Sequence, residues 1–209
     1  MPTSQNSYNL GFTASTLRPD LARIVANAYV QEGTWAKAKT AIIRDNLLQY
    51  DSHGSSKRME LEMRSRLMNL TENQLIFLAQ ASIDEATSIA WLAACKRIPF
   101  VHDFAVEVLR EKLTHQDNIL RHSDYEHYLT LKQREHPELN KLTDLSKSKT
   151  KQVMYKMLAE ASIKDASPGQ DDPILRRPPI SYAVTELIVN DDRKWLRAFL
   201  IPDHELSSH

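Results

Sequence analysis

The spacing of apolar residues constrains this chain most: from Leu21 to His136 nearly every one falls on a 3.6-residue period. Leu21, Ile24, Val25, Ala28 and Tyr29 recur at i, i+3, i+4, i+7 and i+8, the stripe of an amphipathic helix. A half-buried strand would alternate with period two instead. Only 4 glycines occur in 209 residues, few for the left-handed positions that tight hairpins require. The pattern predicts an all-α, compact multi-helix globular fold.

Caps and breakers set the expected boundaries. Pro19 opens a first helix and Gly33 stops it; Thr34 caps a second that runs through Ile42 and Ile43 to about Tyr50. Residues 51–56 read as a turn, with Ser55 or Ser56 capping a third helix over about 56–69. Three further starts carry capping boxes: Thr71 with Gln74, Ser82 with Glu85, and Ser123 with Glu126. Pro99 opens a helix through Phe104 and Leu109.

Pro137 marks a change. A short helix over 138–143, a polar turn at Asp144-Leu145-Ser146 and a longer helix over 147–161 are expected, then a loop at 165–172. Residues 174–177 read as a minor wing-like extended piece before Pro178-Pro179, and two short helices close the chain. The expected organisation is a flexible N-terminal arm at 1–16, a helical domain at 17–136 with a helix-turn-helix at 34–70, and a helix-turn-helix or winged-helix-like subdomain at 137–209.

Recognisable chemistry is absent from this pattern. No phosphate-binding loop, Gly-rich dinucleotide turn or Gly-x-Ser-x-Gly elbow occurs. His122, Glu126 and His127 lack the His-x-x-x-His spacing that sets two imidazoles on one helical face. Asp171-Asp172 and Asp191-Asp192 fit turns or caps. The single Cys95 forms no internal disulfide and sits in an apolar run, where it reads as a small buried hydrophobe. That run, 89–95, ends at Lys96 and is far shorter than the ~18 residues of a membrane span. The N-terminus lacks the pattern of a signal peptide. The expectation is a cytoplasmic protein, not an enzyme, with no cofactor, no metal and no membrane partner.

Charge is informative only locally. Lys+Arg and Asp+Glu are both 27, yet Lys141 to Lys164 contains six lysines against Asp144 and Glu160. On a helical wheel Val153, Met154, Met157, Leu158 and Ala161 share one face; Lys149, Gln152 and Lys156 share the opposite one, with Tyr155 between. Lys147 and Lys151 flank the boundary, and Ser148 and Thr150 lie toward the helix start. A short helix, a polar turn and a longer basic helix make a helix-turn-helix plan, suited to a major groove. Lysines would supply sequence-independent attraction to phosphate, and Gln152 can reach a base edge. A weaker copy follows the 51–56 turn, with Lys57, Arg58 and Arg64; Arg66, nearer the apolar side, suits a carboxylate partner.

These residues carry a family resemblance. Asn46-Leu47-Leu48-Gln49, Ser55-Ser56-Lys57-Arg58 and Arg64-Ser65-Arg66-Leu67 resemble the BrxA family of bacteriophage-exclusion (BREX) defence systems. So do Leu145-Ser146-Lys147-Ser148-Lys149-Thr150, Met157-Leu158-Ala159-Glu160-Ala161, and Pro179-Ile180-Ser181 with Trp195-Leu196 and Phe199-Leu200. The resemblance covers roughly residues 17–201 and rests on order and spacing. It departs at Ser162, where glycine is expected, so a different helix end is expected there.

The resemblance implies a small cytoplasmic helical accessory of a phage-defence island whose partner genes supply a methyltransferase, an ATPase and a phosphatase-like protein. The family has been compared with a helical RNA-binding antitermination protein and labelled an inner-membrane protein; the hydropathy above opposes the second label. Residues and resemblance together predict a non-enzymatic double-stranded DNA-binding accessory of little sequence specificity, monomeric or dimeric. The alternatives are an interaction subunit docking on other BREX proteins, or an RNA-binding factor.

Overall fold

A computed structural model describes Tyr8, residues 10–165 and residues 172–206. In chain order its helices are α1 (Pro19–Glu32), α2 (Trp35–Arg44), α3 (His53–Leu67), α4 (Glu72–Gln80), α5 (Ile83–Arg97), α6 (Pro99–Asp103), α7 (Glu111–Thr114), α8 (His122–Glu135), α9 (Asp144–Glu160), α10 (Tyr182–Asp192) and α11 (Asp203–Leu206). A π-helical stretch, Phe104–Arg110, joins α6 to α7; 3₁₀ turns cover Gly11–Ala14, Pro137–Lys141 and Arg193–Phe199. Among the described residues no strand forms. The wing expected at 174–177 is reduced to isolated antiparallel bridges, Ile119 with Ile174 and Lys164 with Leu175. The loop expected at 165–172 lies largely outside the described residues.

The chain forms two compact units. One comprises Ala14–Arg97 and Ile180–Arg193; the other comprises Met1–Thr13, Ile98–Pro179 and Lys194–His209. The division turns on pairings between residues about a hundred positions apart, which local periodicity does not encode.

In the first unit α1 packs against α2, α3, α4 and α5. Ile89 through Cys95 of α5 are all buried, as befits a helix apolar on every side. Segment 180–193 returns to it through Val184 and Ile188, both buried. Ser181 caps α10 by accepting from the Val184 N–H and donates its hydroxyl to Glu85 at 3.0 Å. The buried Lys96 ammonium meets Asp191 at 2.5 Å and donates to Gln74 Oε1 at 3.0 Å; the Gln74 amide donates to the Leu187 carbonyl at 3.1 Å. A charge taken from water needs such full satisfaction.

The second unit is built around rings. Phe100 and Phe104 lie against Tyr125 and Tyr128 with centroids 5.0–6.3 Å apart, and the Tyr128 hydroxyl donates to the Phe100 carbonyl at 2.8 Å. Tyr8 meets Phe100 edge-on at 5.9 Å and donates its hydroxyl to Asp103. Beside them the buried Lys132 ammonium reaches Glu107 at 2.8 Å, Glu135 at 3.3 Å and Asp103 at 3.7 Å.

Several expectations are corrected. Of the arm expected at 1–16, residues 1–7 and 9 lie outside the described residues, but Tyr8, Leu10 and Phe12 are buried. Ser15 and Thr16 accept from the Arg66 guanidinium through their carbonyls, at 2.8 and 2.6 Å. Helix α2 ends at Arg44, not near Tyr50: Asn46 turns left-handed at φ 45° and the Leu47 N–H closes on the Ile42 carbonyl at 3.1 Å. Ser52 caps α3 in place of Ser55 or Ser56, and Thr143 caps α9 three residues before the expected start. At α8, Asp124 accepts from the Arg121 N–H at 2.7 Å, so the box at Ser123 and Glu126 is not used. Runs of Ser, Thr and Asp offer several capping side chains, and the docking of the apolar face selects among them. The boxes at Thr71 and Ser82 form as expected.

Helix α9 ends as if glycine were present. Ser162 takes φ 58°, its N–H bonds to the Ala159 carbonyl at 3.1 Å, and the Ile163 N–H bonds to the Leu158 carbonyl at 2.9 Å. This is a Schellman closure, sealed by the buried pair Leu158 and Ile163. Because a Cβ disfavours the left-handed region, Ser162→Gly is expected to stabilise the protein by about 1 kcal/mol in urea unfolding.

Asp103 adds a pH dependence. Burial alone would raise its pKa; hydrogen bonds from His102 and Tyr8, with the Lys132 charge, outweigh burial and hold it below the usual carboxylate range. Its contribution is therefore complete above the unfolded value of about 3.9 and is lost as pH falls through the lower folded value. Asp103→Asn should cost about 2 kcal/mol at pH 7 and flatten the acid limb of a stability profile from pH 2 to 7.

Candidate nucleic-acid interface

Helix α9 starts at a Thr143 cap whose hydroxyl oxygen accepts from the Ser146 N–H at 3.2 Å. Val153, Met154, Met157 and Leu158 are buried, which turns Ser148, Lys149, Gln152 and Lys156 to solvent. Lys149 reaches Gln152 at 3.5 Å. Lys147 folds back on Asp144 at 3.2 Å. Two expected site residues are placed otherwise. Thr150 is 1% exposed and donates its hydroxyl to the Ser146 carbonyl; lying three and four residues before the buried Val153 and Met154, it shares their inward face. Lys151 is half-buried: its ammonium pairs with Glu126 at 3.1 Å and sits over the rings of Tyr125 and Tyr155, at 5.1 and 5.7 Å.

The other basic stretch, on α3, belongs to the first unit. Lys57 and Arg58 are exposed. Arg64 is bound to the buried Glu60 at 2.6 Å, which commits its charge within the helix. Arg66 is buried against Glu62 at 2.6 Å, the carboxylate partner its position suggested. The connection Asp45–Ser52 between α2 and α3 is longer than the roughly 3–4 residues of a helix-turn-helix.

On the α8 side of α9 lies an open groove of about 650 Å³, lined by His122, Ser148, Lys151, Gln152, Tyr155, Lys156, Ala159 and Lys164. His122 is 3.8 Å from Glu126. Lys164 donates to the Asp165 carbonyl at 3.2 Å and lies 6.0 Å from the Tyr155 ring centre; burial lowers its pKa against the opposing charge of Asp165. Burial raises the Tyr155 hydroxyl, with Asp124, Glu126 and Asp172 adding to it. The sequence indicated the lysines of α9 but not this groove. Tyr155 reads as a boundary residue and Lys164 lies past the helix, so only their spatial return to α8 reveals them. Among the described residues no group of histidine, cysteine and carboxylate side chains is arranged to hold a metal ion, and no helix is long and apolar enough to cross a membrane.

The helical architecture is shared with a solved structure, an uncharacterised protein from Magnetospirillum magneticum. The two match with a TM-score of 0.79 at 21% identity, over 93% of this chain and 98% of that one. The sequence model of the BrxA family matches residues 6–191, and the chain belongs to that family. It is 25% identical over 174 residues to the BREX protein BrxA of Escherichia coli O9:H4 (strain HS), covering 82% of this chain and 80% of that protein.

The Tyr125 and Tyr155 hydroxyls are buried without a hydrogen-bond partner. A buried unpaired hydroxyl is costly, so Tyr125→Phe is expected to raise stability by about 1 kcal/mol in thermal or urea unfolding.

Proposed function

We propose that this protein is a non-enzymatic accessory of a BREX phage-defence system that binds double-stranded DNA with little sequence preference, in the cytoplasm, beside other BREX proteins. The BREX assignment rests on family membership and on the E. coli relative. The observation that carries the DNA reading is the solvent face of α9, where Ser148, Lys149, Gln152 and Lys156 stand exposed on a rigid helix. Lysines attract phosphate regardless of sequence, and only Ser148 and Gln152 on that face add neutral groups for a base edge, so specificity should be low. Lys57 and Arg58 offer a weaker second contact.

A second reading, an interaction subunit for another defence protein, is favoured by Leu145. It is 82% exposed at the start of α9, where an isolated soluble helix would carry a polar residue.

Gel-shift titration of a duplex, a single strand and a structured RNA across a salt series separates these readings. Duplex is expected to bind tightest, with each phosphate contact adding about 0.9 to the salt slope. Reversing Lys149 and Lys156 to Glu should weaken it at least about tenfold at low salt. No duplex binding at low salt, or binding indifferent to both reversals, would reject the DNA reading. Leu145→Ser abolishing a salt-resistant copurification would support the second.

A further inference from the structure

We infer that the groove beside α9, at its Lys156–Lys164 end, is a site for one phosphate-bearing ligand of nucleotide size, either a free nucleotide or the terminal nucleotide of a strand. The groove goes beyond the duplex reading, which relies on the outward face of α9 and not on Lys164 or on the α8 side.

Its size fits: about 650 Å³ lies within the roughly 300–1,000 Å³ of small-molecule sites. Its charge fits an anion. Lys151, Lys156 and Lys164 line one space, with His122 opposite on α8. Glu126 already engages Lys151 at 3.1 Å, which leaves the Lys156–Lys164 end as the place for an incoming negative charge. There Lys164 donates to a carbonyl and not to a carboxylate, and burial has stripped part of its hydration. An ammonium already desolvated loses less on meeting a phosphate than one fully in water. Ala159, a short side chain, lies between the two lysines along the chain and lines the same groove.

Tyr155 argues against a stacked base as the anchoring element. Two ammonium groups, Lys151 and Lys164, already lie within 6.0 Å of its ring centre. The ring thus braces cations, and the cations face the ligand. Ser148 and Gln152 supply a hydroxyl and an amide for the rest of a nucleotide.

Calorimetric titration of the full chain at low salt tests this with four probes: adenosine, adenosine 5′-monophosphate, and one tetranucleotide with and without a 5′-phosphate. The monophosphate is expected to bind at least about tenfold tighter than adenosine, the effect of one or two charge-assisted hydrogen bonds. Lys164→Gln and Lys156→Gln should each weaken it about five- to tenfold, and Lys39→Gln, exposed on α2 of the other unit, should leave it unchanged. Lys156 is exposed, so its variant keeps the test valid if the Lys164 variant misfolds, which circular dichroism reports. A phosphorylated tetranucleotide binding tighter than the monophosphate identifies a strand end as the source; equal binding identifies the free nucleotide. Equal affinity for adenosine and its monophosphate, no binding of either, or indifference to both groove variants would overturn the inference. Loss of duplex shift with monophosphate binding intact would reject the DNA reading alone.

Discussion

The packing of Phe100 and Phe104 against Tyr125 and Tyr128 is the contact on which the second unit depends. These four rings join the π-helical stretch to α8. Tyr8 extends the cluster to the N-terminal segment, and Tyr155, 6.1 Å from Tyr125, extends it to α9. Large rigid rings bury much area while losing few rotatable bonds, and edge-on geometry makes their relative placement specific. Helix α9 is therefore held by its aromatic neighbour. Lys151 lies over both tyrosines, so the charge of the groove and the core of the unit share the same side chains.

Around each core, buried cations act as pins. Lys96 joins α5 to α10 through Asp191, Arg66 holds the Ser15–Thr16 backbone, and Arg110 donates to the Ile201 carbonyl at 2.8 Å while meeting Asp203 at 2.7 Å. Each links segments distant in sequence. Burying a charge is unfavourable unless its partners arrive together, so these pins favour one arrangement of the apolar faces over near alternatives of similar hydrophobic burial. A neutral chain can thus be strongly polar inside without a net field outside, and the exposed lysines of α9 stand out against that background.

Much of the fold was legible because its signals are local. The stripe of α1, the stop at Gly33, the cap at Thr34, the box at Thr71 and the cap at Ser181 need only neighbours within one turn. The partnered character of Arg66 followed from its place on the helical wheel. Boundaries failed where capping residues crowd together, as at Ser52 to Ser56 and Thr143 to Ser148, since each hydroxyl alone is an equally good cap. Thr150, three and four residues before Val153 and Met154, falls on their buried face wherever the helix is capped. Arg64 is engaged by Glu60, a glutamate buried one turn earlier.

What the sequence alone determined is the material: helices of 3.6-residue period and an excess of lysine between 141 and 164, both properties of residues close together in the chain. Tertiary structure alone decided that 180–193 belongs with 14–97, and that Tyr8, Leu10 and Phe12 are buried. It also decided which basic side chains are available. Lys149 and Lys156 are exposed, Lys151 and Arg64 are held by glutamates, and Lys164 is drawn beside α8 into a groove. Charge is written in the residue; its availability depends on which distant carboxylate, ring or carbonyl folding brings within a few ångströms.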